Sequence, residues 1–478
     1  MNRYTSHVYT KFENLKPQQL IDDAQLVKTD MVNYPKVHIA PKSGLLNDPN
    51  GLVYYNELYH IFYQACPNGP FHGMKSWNLV TTKDFLTYED HGIVLNVTEE
   101  YENFGIFSGG AIIVDSKLCL LYTANYRDPN NEYKRKAYQV LATLDENYNV
   151  VSKRIIREPD ETLHTEHFRD PVAIDDFNVL IGLQDVNNQG QLAVMGYSQK
   201  DYLGDSKLSF IKNSWNLDSF MFECPNLFKL EDKNILVFSP QGVEAQDKYT
   251  FNNIHDVVYS ISDKFFIEEM MWDNPIIKQL DHGFDFYAPQ VFNDGERTLM
   301  IGWQGVPDTI YPGDEQYRWS QMLTTMRELT LVNGNLLQKP IDEYQQLETN
   351  WISFEREVKL ESKVFKLKFS ASEEFELVIG NDSYNIRLVR QGNEISLDRS
   401  KCQYLVNEKY GNVRYVNVEE DNCELEIIVD MSSIEIFINE GKYVMTSRFF
   451  IDSLTTLKLS GSDTSQFSYL KAIKYKEG

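Results

Sequence analysis

Short apolar runs separated by polar turns dominate the chain from about residue 36 onward. Apolar and polar residues alternate within these runs, which is typical of β-strands that bury one face. The turns between the runs are rich in Asp, Asn, Lys and Gly, a composition that favours hairpins. Helical spacing of apolar residues is confined to the mostly polar stretch from Asn14 to Met31. The pattern therefore predicts an all-β fold with a short helical N-terminal extension.

Five of the predicted hairpins belong to one degenerate internal repeat. Each unit has a polar or aromatic motif, an apolar strand, a turn and a second apolar strand, and the units begin at Asp48, Ser108, Asp170, Glu223 and Tyr287. These starting residues lie 60, 62, 53 and 64 positions apart. Five hairpin units of similar length suit a closed radial array, which leaves only short sheet edges exposed. We therefore predict a five-bladed β-propeller, with an irregular all-β domain of evenly spaced hairpins as the alternative.

The repeat ends near residue 339, and the strands that follow lack its motif. One or two helical turns are expected at residues 343–349. The later strands have the number and length typical of a β-sandwich and carry no cluster of candidate catalytic groups. We predict four segments: an N-terminal helical extension at 1–35, a propeller catalytic domain at 36–338, a linker at 339–350 and a β-sandwich at 351–478.

Composition and charge narrow the classes of function. The chain has 478 residues, 42% of them hydrophobic and 24% charged, as expected of a folded protein with more than one domain. A net charge of −24 argues against a nucleic-acid partner, because such proteins present a basic face. The sequence shows neither a signal peptide nor the ~18-residue apolar run that crosses a bilayer. Its five cysteines are scattered and fit a reducing compartment. We predict a cytoplasmic protein without a membrane partner and leave its oligomeric state open.

Three of the five residues that open the repeats are carboxylic acids: Asp48, Asp170 and Glu223. In a propeller the innermost strands begin at one end of the central channel, so these side chains are expected to meet in one pocket. Each motif alone could be an ordinary turn or a local ion pair. Acids placed together raise each other's pKa, which is costly unless the arrangement is used. Their joint occurrence at the repeat starts therefore indicates a site.

A set of carboxylates of this kind supports glycosidic cleavage. One carboxylic acid protonates the leaving oxygen, and a carboxylate on the opposite face attacks the anomeric carbon. Arg169 is expected to hold its neighbour Asp170 ionised. The apolar residues on both sides of Glu223 are expected to raise the pKa of that carboxyl, which favours Glu223 as the proton carrier. This chemistry requires no metal and no cofactor.

Taken together, the motifs resemble glycoside hydrolase family 32, the invertase, fructanase and sucrose-6-phosphate hydrolase family, over nearly the whole chain. The motifs that carry the resemblance are Asn47-Asp48-Pro49-Asn50-Gly51, Phe62-Tyr63-Gln64, Phe107-Ser108-Gly109, Arg169-Asp170-Pro171, Glu223-Cys224-Pro225, Phe286-Tyr287-Ala288-Pro289-Gln290 and Gly302-Trp303. The resemblance implies a retaining mechanism in which Asp48 is the nucleophile, Glu223 the acid/base and Asp170 the transition-state stabiliser. It also implies a fructosyl pocket that contains Asn47, Gln64, Trp77, Phe107, Ser108, Arg169, Tyr287 and Trp303.

Two features of the sequence depart from the common pattern of that family. Leu45-Leu46 stands where the family usually has Trp-Met, which affects an aromatic wall of the pocket but not the nucleophile. The segment His72-Gly73-Met74-Lys75-Ser76-Trp77 resembles the intracellular sucrose-6-phosphate hydrolase branch. The resemblance therefore implies hydrolysis of the β-fructofuranosyl bond of sucrose 6-phosphate, and of sucrose as well.

A phosphorylated sugar requires local cations in so acidic a protein. His72, Lys75 and Arg127 are the predicted phosphate or leaving-group contacts. Lys134, Arg135 and Lys136 are further candidates, for which an ordinary solvated loop is the favoured interpretation. Three other functions remain open at this point. They are an intracellular β-fructofuranosidase acting on sucrose or short fructans, an inverting propeller glycosidase acting on arabinans, and a non-catalytic sugar-binding propeller.

Overall fold

The computed structural model describes residues 6–245, 247–253, 255–307 and 309–476, and strands dominate them. Within these ranges two α-helices lie at Pro17–Val27 and Asp314–Tyr317, and 3₁₀ turns lie at Ser6–Tyr9, Phe12–Asn14, Glu100–Glu102, Asp342–Leu347 and Glu408–Tyr410. The mostly β architecture confirms the predicted class in this coarse form. None of the helices in the described part of the chain is long and apolar enough to cross a membrane.

The helix Pro17–Val27 lies within the stretch for which helical spacing is predicted. Pro17 occupies the first helical turn, where its missing N–H has no intrahelical partner to lose. The helix is tied to the main body by Asp23, whose carboxylate accepts a hydrogen bond from Nε of Arg318 at 3.0 Å. Residues 1–5 of the predicted extension 1–35 lie outside the described residues.

Five sheets of four to six strands follow one another along the described part of residues 44–340, and we number them I to V in chain order. Sheet I contains, in spatial order, Trp319–Ser320, Gly44–Tyr55, Leu58–Cys66, Ser76–Thr82, Thr87–Leu95 and Lys474–Tyr475. Sheet II contains Ile106–Phe107, Ala111–Val114, Lys117–Asp128, Asn131–Leu144 and Val150–Arg157. Sheet III contains His164–Ala173, Asn178–Asp185, Gly190–Gln199 and Leu203–Phe210.

Sheets IV and V complete this part of the chain. Sheet IV contains Met221–Leu230, Lys233–Gln241, Val258–Ser262 and Lys278–Gln279, and a separate two-stranded sheet pairs Phe265–Phe266 with Met271–Trp272. Sheet V contains Tyr287–Asn293, Thr298–Gln304, Met322–Leu323, Arg327–Val332 and Asn335–Pro340. In all five sheets the hairpin of the sequence repeat is present as an antiparallel strand pair.

The motif-bearing strands of the five sheets are joined to one another by hydrogen bonds that close a ring. In chain order these bonds run from Gly51 N to Gly109 O (3.2 Å), Gly110 N to Pro171 O (3.0 Å), Cys224 N to Asp170 Oδ2 (2.8 Å), Val291 N to Asn226 Oδ1 (2.9 Å) and Leu52 N to Gln290 Oε1 (2.9 Å). The last bond returns from sheet V to sheet I. Motifs that are far apart in sequence therefore lie side by side.

Two six-stranded sheets form the C-terminal part. Sheet VI contains Ile352–Ser353, Thr464–Tyr469, Val364–Ala371, Cys423–Asp430, Ser433–Ile438 and Tyr443–Arg448. Sheet VII contains Glu357–Lys359, Thr456–Ser460, Phe375–Gly380, Asn385–Gln391, Glu394–Asp398 and Val413–Asn417. Buried apolar side chains from both sheets share one core, so the sheets pack face to face. The strand Lys474–Tyr475 leaves this pair and joins sheet I, although it lies within the segment 351–478 predicted as sandwich.

A buried charged network joins the C-terminal sheets to the preceding ones. The His38 ring lies between two acids of sheet VI, with Nδ1 2.7 Å from Asp430 and Nε2 2.9 Å from Glu435. Glu435 also pairs with Arg327 of sheet V, and all four side chains are fully buried. Burial alone would lower the pKa of His38, but its hydrogen bonds with the two acids raise it to about 9. His38 is therefore a cation at neutral pH.

Candidate active site

The three acids lie at β-bulges on the motif-bearing strands of sheets I, III and IV. The pairing with the second strand shifts register between Leu46 and Pro49, between Arg169 and Val172, and between Glu223 and Asn226. At the second and third bulges the residue before proline has a positive φ, 67° at Asp170 and 47° at Cys224. Non-glycine residues rarely adopt this conformation. A bulge redirects the side chains around it, and here Asp48, Asp170 and Glu223 all line one pocket.

The bulges also correct the predicted alignment of the repeats. Each of three motifs has a proline directly after a residue with positive φ, and these residues are Asp170, Cys224 and Ala288. With the prolines aligned, Glu223 corresponds to Arg169 and Tyr287 rather than to Asp170. The expectation that Asp170 and Glu223 open their units at equivalent points is therefore wrong by one residue. The equivalent positions hold an arginine, a glutamate and a tyrosine on neighbouring strands.

Those three equivalent side chains form one cluster. Arg169 donates to Oε1 of Glu223 from Nε at 3.0 Å and from Nη2 at 2.7 Å, and the Tyr287 hydroxyl donates to Oε2. Burial favours the protonated acid, but the Arg169 charge and the hydrogen bonds outweigh it, and the pKa of Glu223 is lowered. The prediction that apolar neighbours raise the pKa of Glu223 is therefore wrong, because the cation is contributed by the adjacent sheet.

Asp170 has the opposite electrostatic character. Burial raises the pKa of Asp170 to about 7, although the nearby Arg169 charge opposes the shift. Its Oδ2 accepts a hydrogen bond from the Cys224 amide at 2.8 Å and lies 3.6 Å from Cys224 Sγ. Arg169 directs its hydrogen bonds to Glu223 instead of its sequence neighbour, so the expectation that it holds Asp170 ionised is wrong.

Asp48 receives hydrogen bonds on both carboxylate oxygens. Asn47 Nδ2 donates to Oδ1 at 3.0 Å, the Ser108 hydroxyl donates to Oδ2, and Gln64 Nε2 lies 3.5 Å from Oδ2. Burial raises the pKa of Asp48, while the Ser108 and Asn47 hydrogen bonds oppose that shift. Cys224 Sγ lies 3.8 Å from Oδ2 of Asp48 as well as near Asp170, so the acids of sheets I, III and IV surround one point.

A pocket of about 320 Å³ opens over this point, a volume suited to a small sugar. The predicted residues that line it are Asn47, Asp48, Gln64, His72, Lys75, Phe107, Ser108, Arg127, Arg169, Asp170, Glu223, Tyr287 and Trp303. The structure places Trp77 elsewhere. Its side chain is fully buried and its indole N–H donates to the Phe107 carbonyl at 3.2 Å, so it supports the wall from behind.

Several lining residues are missed by the sequence reasoning. They are Phe104, Asn125, Tyr126, Glu166, His167, Phe220, Cys224, Gln241 and Pro307. His167 could be found from strand alternation, which puts it on the same face as Arg169 two residues on. Its Nδ1 lies 3.0 Å from Arg169 Nη1. Burial and the Arg169 charge lower the pKa of His167 to about 4, so this ring is neutral at pH 7.

Two arginines stand directly opposite each other at one side of the pocket. Arg127 and Arg135 are partners in the antiparallel pairing of sheet II, and both line the pocket. The Arg127 guanidinium stacks on Phe104, 3.5 Å from the ring centroid. Residues 134–136 lie in the strand Asn131–Leu144 and not in a loop, but Arg135 is exposed, as expected, and also lines the pocket. Lys75, which is also a predicted phosphate contact, is buried. Its Nζ donates to Asn47 Oδ1 at 2.5 Å and to His72 Nδ1 at 3.0 Å.

The arrangement can perform acid-assisted cleavage of a sugar acetal. Three carboxyl groups meet in a pocket of sugar size, and their environments push their proton affinities apart. Such divergence is how one site obtains both a proton donor and an ionised carboxylate.

Comparison with known proteins shows which protein family this chain matches and which proteins are similar to it. The family pattern described as "Glycosyl hydrolases family 32 N-terminal domain" matches residues 38–340, and the corresponding C-terminal pattern matches residues 324–476. A sucrose-6-phosphate hydrolase of Vibrio alginolyticus is 37% identical over 480 residues, covering 99% of this chain and 98% of that protein. One from Staphylococcus xylosus is 33% identical over 496 residues, with 98% of each covered.

Solved structures show the same likeness. The sucrose-6-phosphate hydrolase from Lactobacillus gasseri matches with a TM-score of 0.91 at 30% identity, covering 98% of this chain and 100% of that one. The GH32 β-fructofuranosidase BmSUC1 of Bombyx mori matches with a TM-score of 0.80 at 25% identity, covering 96% and 98%. Sequence and fold therefore agree over nearly the whole length.

Proposed function

This chain belongs to glycosyl hydrolases family 32 and is a glycosidase, and we propose that it hydrolyses the β-fructofuranosyl bond of sucrose 6-phosphate with retention of configuration. The observation that carries the proposal is the pocket in which Asp48, Asp170 and Glu223 meet. The two relatives above, each covered to 98% of its length, bear the name sucrose-6-phosphate hydrolase, which supports the choice of substrate. Sucrose is the expected second substrate.

In the proposed mechanism Asp48 attacks the anomeric carbon of the fructosyl group. The hydrogen bonds from Asn47 and Ser108 favour its ionised form and hold both oxygens in place. Glu223 protonates the leaving glucosyl oxygen and later removes a proton from the water that resolves the fructosyl-enzyme. Asp170 binds fructose hydroxyls whose hydrogen bonds strengthen as positive charge develops on the ring.

The lowered pKa of Glu223 affects its proposed role as the proton donor. A proton donor must be protonated when the bond breaks, yet Arg169 and Tyr287 stabilise the ionised form in the free pocket. Asp170, with its pKa raised to about 7, retains a proton at higher pH than an ordinary aspartate. Because the three acids interact, the pKa values that a pH profile of kcat/KM reports belong to the three carboxyl groups together and not to any one of them.

We propose that Arg127 and Arg135 bind the phosphate of the substrate. Like charges directly opposite each other across two strands are destabilising unless an anion lies between them. A phosphate with two negative charges fits between two guanidinium groups, which form paired hydrogen bonds with its oxygens. His72 lines the same pocket and is a further proposed hydrogen-bonding contact.

We also propose that sheets I to V are the five blades of a β-propeller and sheets VI and VII a β-sandwich. The segment boundaries are those predicted above, except that the strand Asn335–Pro340 runs two residues past 338 and Lys474–Tyr475 joins sheet I. The closed ring of hydrogen bonds between motif-bearing strands supports the propeller. We further propose a cytoplasmic location. The free thiols of all five cysteines support it, since cytosolic cysteines stay reduced.

The proposal is tested by comparing kcat/KM for sucrose and sucrose 6-phosphate at constant ionic strength. We expect a higher value for the phosphorylated sugar. Equal values, or a preference for sucrose, would favour the intracellular β-fructofuranosidase instead. The anomer of fructose released in the first seconds, followed by NMR, should be the β form. Initial release of the α form would reject retention and with it a nucleophilic Asp48.

A further inference from the structure

The Lys75 ammonium begins a chain of hydrogen bonds that ends on the proposed nucleophile. It donates to Asn47 Oδ1 at 2.5 Å, and Asn47 Nδ2 donates to Asp48 Oδ1 at 3.0 Å and to Gln64 Oε1 at 2.7 Å. Gln64 Nε2 then donates to Ser108 Oγ at 2.5 Å, and the Ser108 hydroxyl donates to Asp48 Oδ2. Lys75, Asn47, Gln64 and Ser108 are all buried.

Lys75 fixes the polarity of this chain at the end that is remote from Asp48. An ammonium group is a donor and never an acceptor, amides and hydroxyls are both, and the Asp48 carboxyl is an acceptor on both oxygens only while it is ionised. Burial lowers the pKa of Lys75 to about 8, so the ammonium is its main form at pH 7. With Lys75 in place, the Asn47 oxygen must face Nζ, so its amide N–H groups must face Asp48 and Gln64. The Gln64 oxygen then faces Asn47, and its N–H groups face Ser108 and Asp48. The hydroxyl hydrogen of Ser108 is left for Asp48.

We propose that Lys75 is a positioning residue that sets the donor–acceptor direction of this chain of hydrogen bonds. As a result, the N–H and O–H groups of Asn47, Gln64 and Ser108 point to the two carboxylate oxygens of Asp48. The inference rests on the proposed function and deepens it. Without the ammonium, either amide could turn over and present an oxygen to the carboxylate, which would disfavour the ionised nucleophile. Lys75 is thereby distinct from the cations Arg127 and Arg135, because its donors point to Asn47 and His72.

The test is the pH profile of kcat/KM for wild type and Lys75→Met with both sucrose and sucrose 6-phosphate. The nucleophile must be ionised, so activity rises as pH passes through its pKa, and a raised pKa moves this acid limb upward. We expect the acid limb of K75M to move up by about one pH unit, and kcat/KM to fall at least ~10-fold by the same factor for both sugars. Lys134→Met, which removes an exposed lysine of sheet II, should match wild type.

Two outcomes overturn the inference. A loss confined to sucrose 6-phosphate would make Lys75 a phosphate contact, and an unshifted acid limb would leave it without influence on Asp48. Thermal unfolding checks that K75M folds. If it does not, Lys75→Gln is judged by the same profile. Its NH2 group can still donate to Asn47 but carries no charge and does not exclude an acceptor, so a smaller upward shift is expected.

A readout that needs no turnover separates this inference from the proposed function. The carboxylic C=O stretch of Asp48, identified in infrared difference spectra by its loss in Asp48→Asn, gives the protonation midpoint directly. We expect a higher midpoint in K75M than in wild type, whichever fructoside the enzyme prefers. An unchanged midpoint would reject the role of Lys75 even in an active sucrose-6-phosphate hydrolase. An enzyme without activity on either sugar would reject the proposed function alone.

Discussion

Arg169 pairs with Glu223 of the neighbouring sheet and not with Asp170, its neighbour in sequence. Both Nε and Nη2 reach the same carboxylate oxygen, at 3.0 and 2.7 Å. The pairing exists because the two residues occupy equivalent positions at adjacent bulges. It reverses the electrostatic assignment made from the sequence, since the cation lowers the pKa of Glu223, whereas the pKa of Asp170 is raised to about 7.

Replacement of Arg169 should therefore move the basic limb of the pH profile. A proton donor loses activity as pH rises through its pKa, and Arg169→Gln removes the charge that lowers the pKa of Glu223. We expect the basic limb of kcat/KM to shift to higher pH while the maximum falls. Arg157→Gln is the control, since Arg157 bonds to Ser206 outside the pocket. A basic limb that stayed in place would show that Arg169 does not control this proton.

Loss of the Glu223 carboxyl should be severe. Glu223→Gln keeps the shape and the Tyr287 contact but cannot deliver a proton, so kcat is expected to fall about 10²- to 10⁴-fold. Glu166→Gln is a matched control, because Glu166 lines the same pocket with a side chain that is 43% exposed. Steady-state kinetics with sucrose and sucrose 6-phosphate measure both variants. Undiminished activity of E223Q would remove Glu223 from the chemistry.

The arginine pair makes a prediction about selectivity. Arg135→Gln removes one charged hydrogen-bond donor to the phosphate, worth about 1.5–3 kcal/mol, so kcat/KM for sucrose 6-phosphate should fall roughly 10- to 100-fold. The value for sucrose should change little, and Lys134→Gln should leave both unchanged. Equal losses on the two sugars would place Arg135 outside the phosphate site.

Ionisation of the buried Asp170 side chain should lower the free energy of unfolding above neutral pH. Its folded pKa is about 7 against an ordinary value of 3.8, so ionisation in the fold is unfavourable. This cost is absent below the unfolded pKa, grows as pH rises between the two values and is complete above about 7. Asp170→Asn is expected to unfold at higher urea concentration than wild type at pH 8, by up to about 4 kcal/mol, but with little activity. At pH 4 the difference should vanish, and Asp232→Asn at the exposed surface should show none.

His38 should have the opposite effect on the pH dependence of stability. Its folded pKa is raised to about 9 from 6.5, so the stabilisation is complete below about 6.5 and is lost as pH rises through 9. His38→Asn is expected to be less stable than wild type at pH 6, by on the order of 3 kcal/mol, with the difference shrinking by pH 9.5. Urea unfolding at the two pH values measures it. If the difference in the free energy of unfolding between His38→Asn and wild type were the same at both pH values, the positive charge of His38 would not be the source of the stabilisation.

The strands, the hairpins of the repeat and the meeting of Asp48, Asp170 and Glu223 in one pocket could be predicted from the sequence. Strand alternation and turn composition act within a few residues, so they are visible in the chain itself. The motif order was specific enough to indicate the family that the comparisons show. Even the helix Pro17–Val27 followed from local spacing.

What only the tertiary structure decided is the partner of each charged side chain. Arg169 donates hydrogen bonds to Glu223, and Lys75 donates to Asn47 and His72. Trp77 lies behind the pocket wall and donates to the Phe107 carbonyl. The one-residue offset at the bulges determines which side chains turn inwards, and residues from different sheets then become neighbours. Charge energies depend on distance and burial rather than on sequence separation, so the proton affinities of this site follow from the fold as a whole.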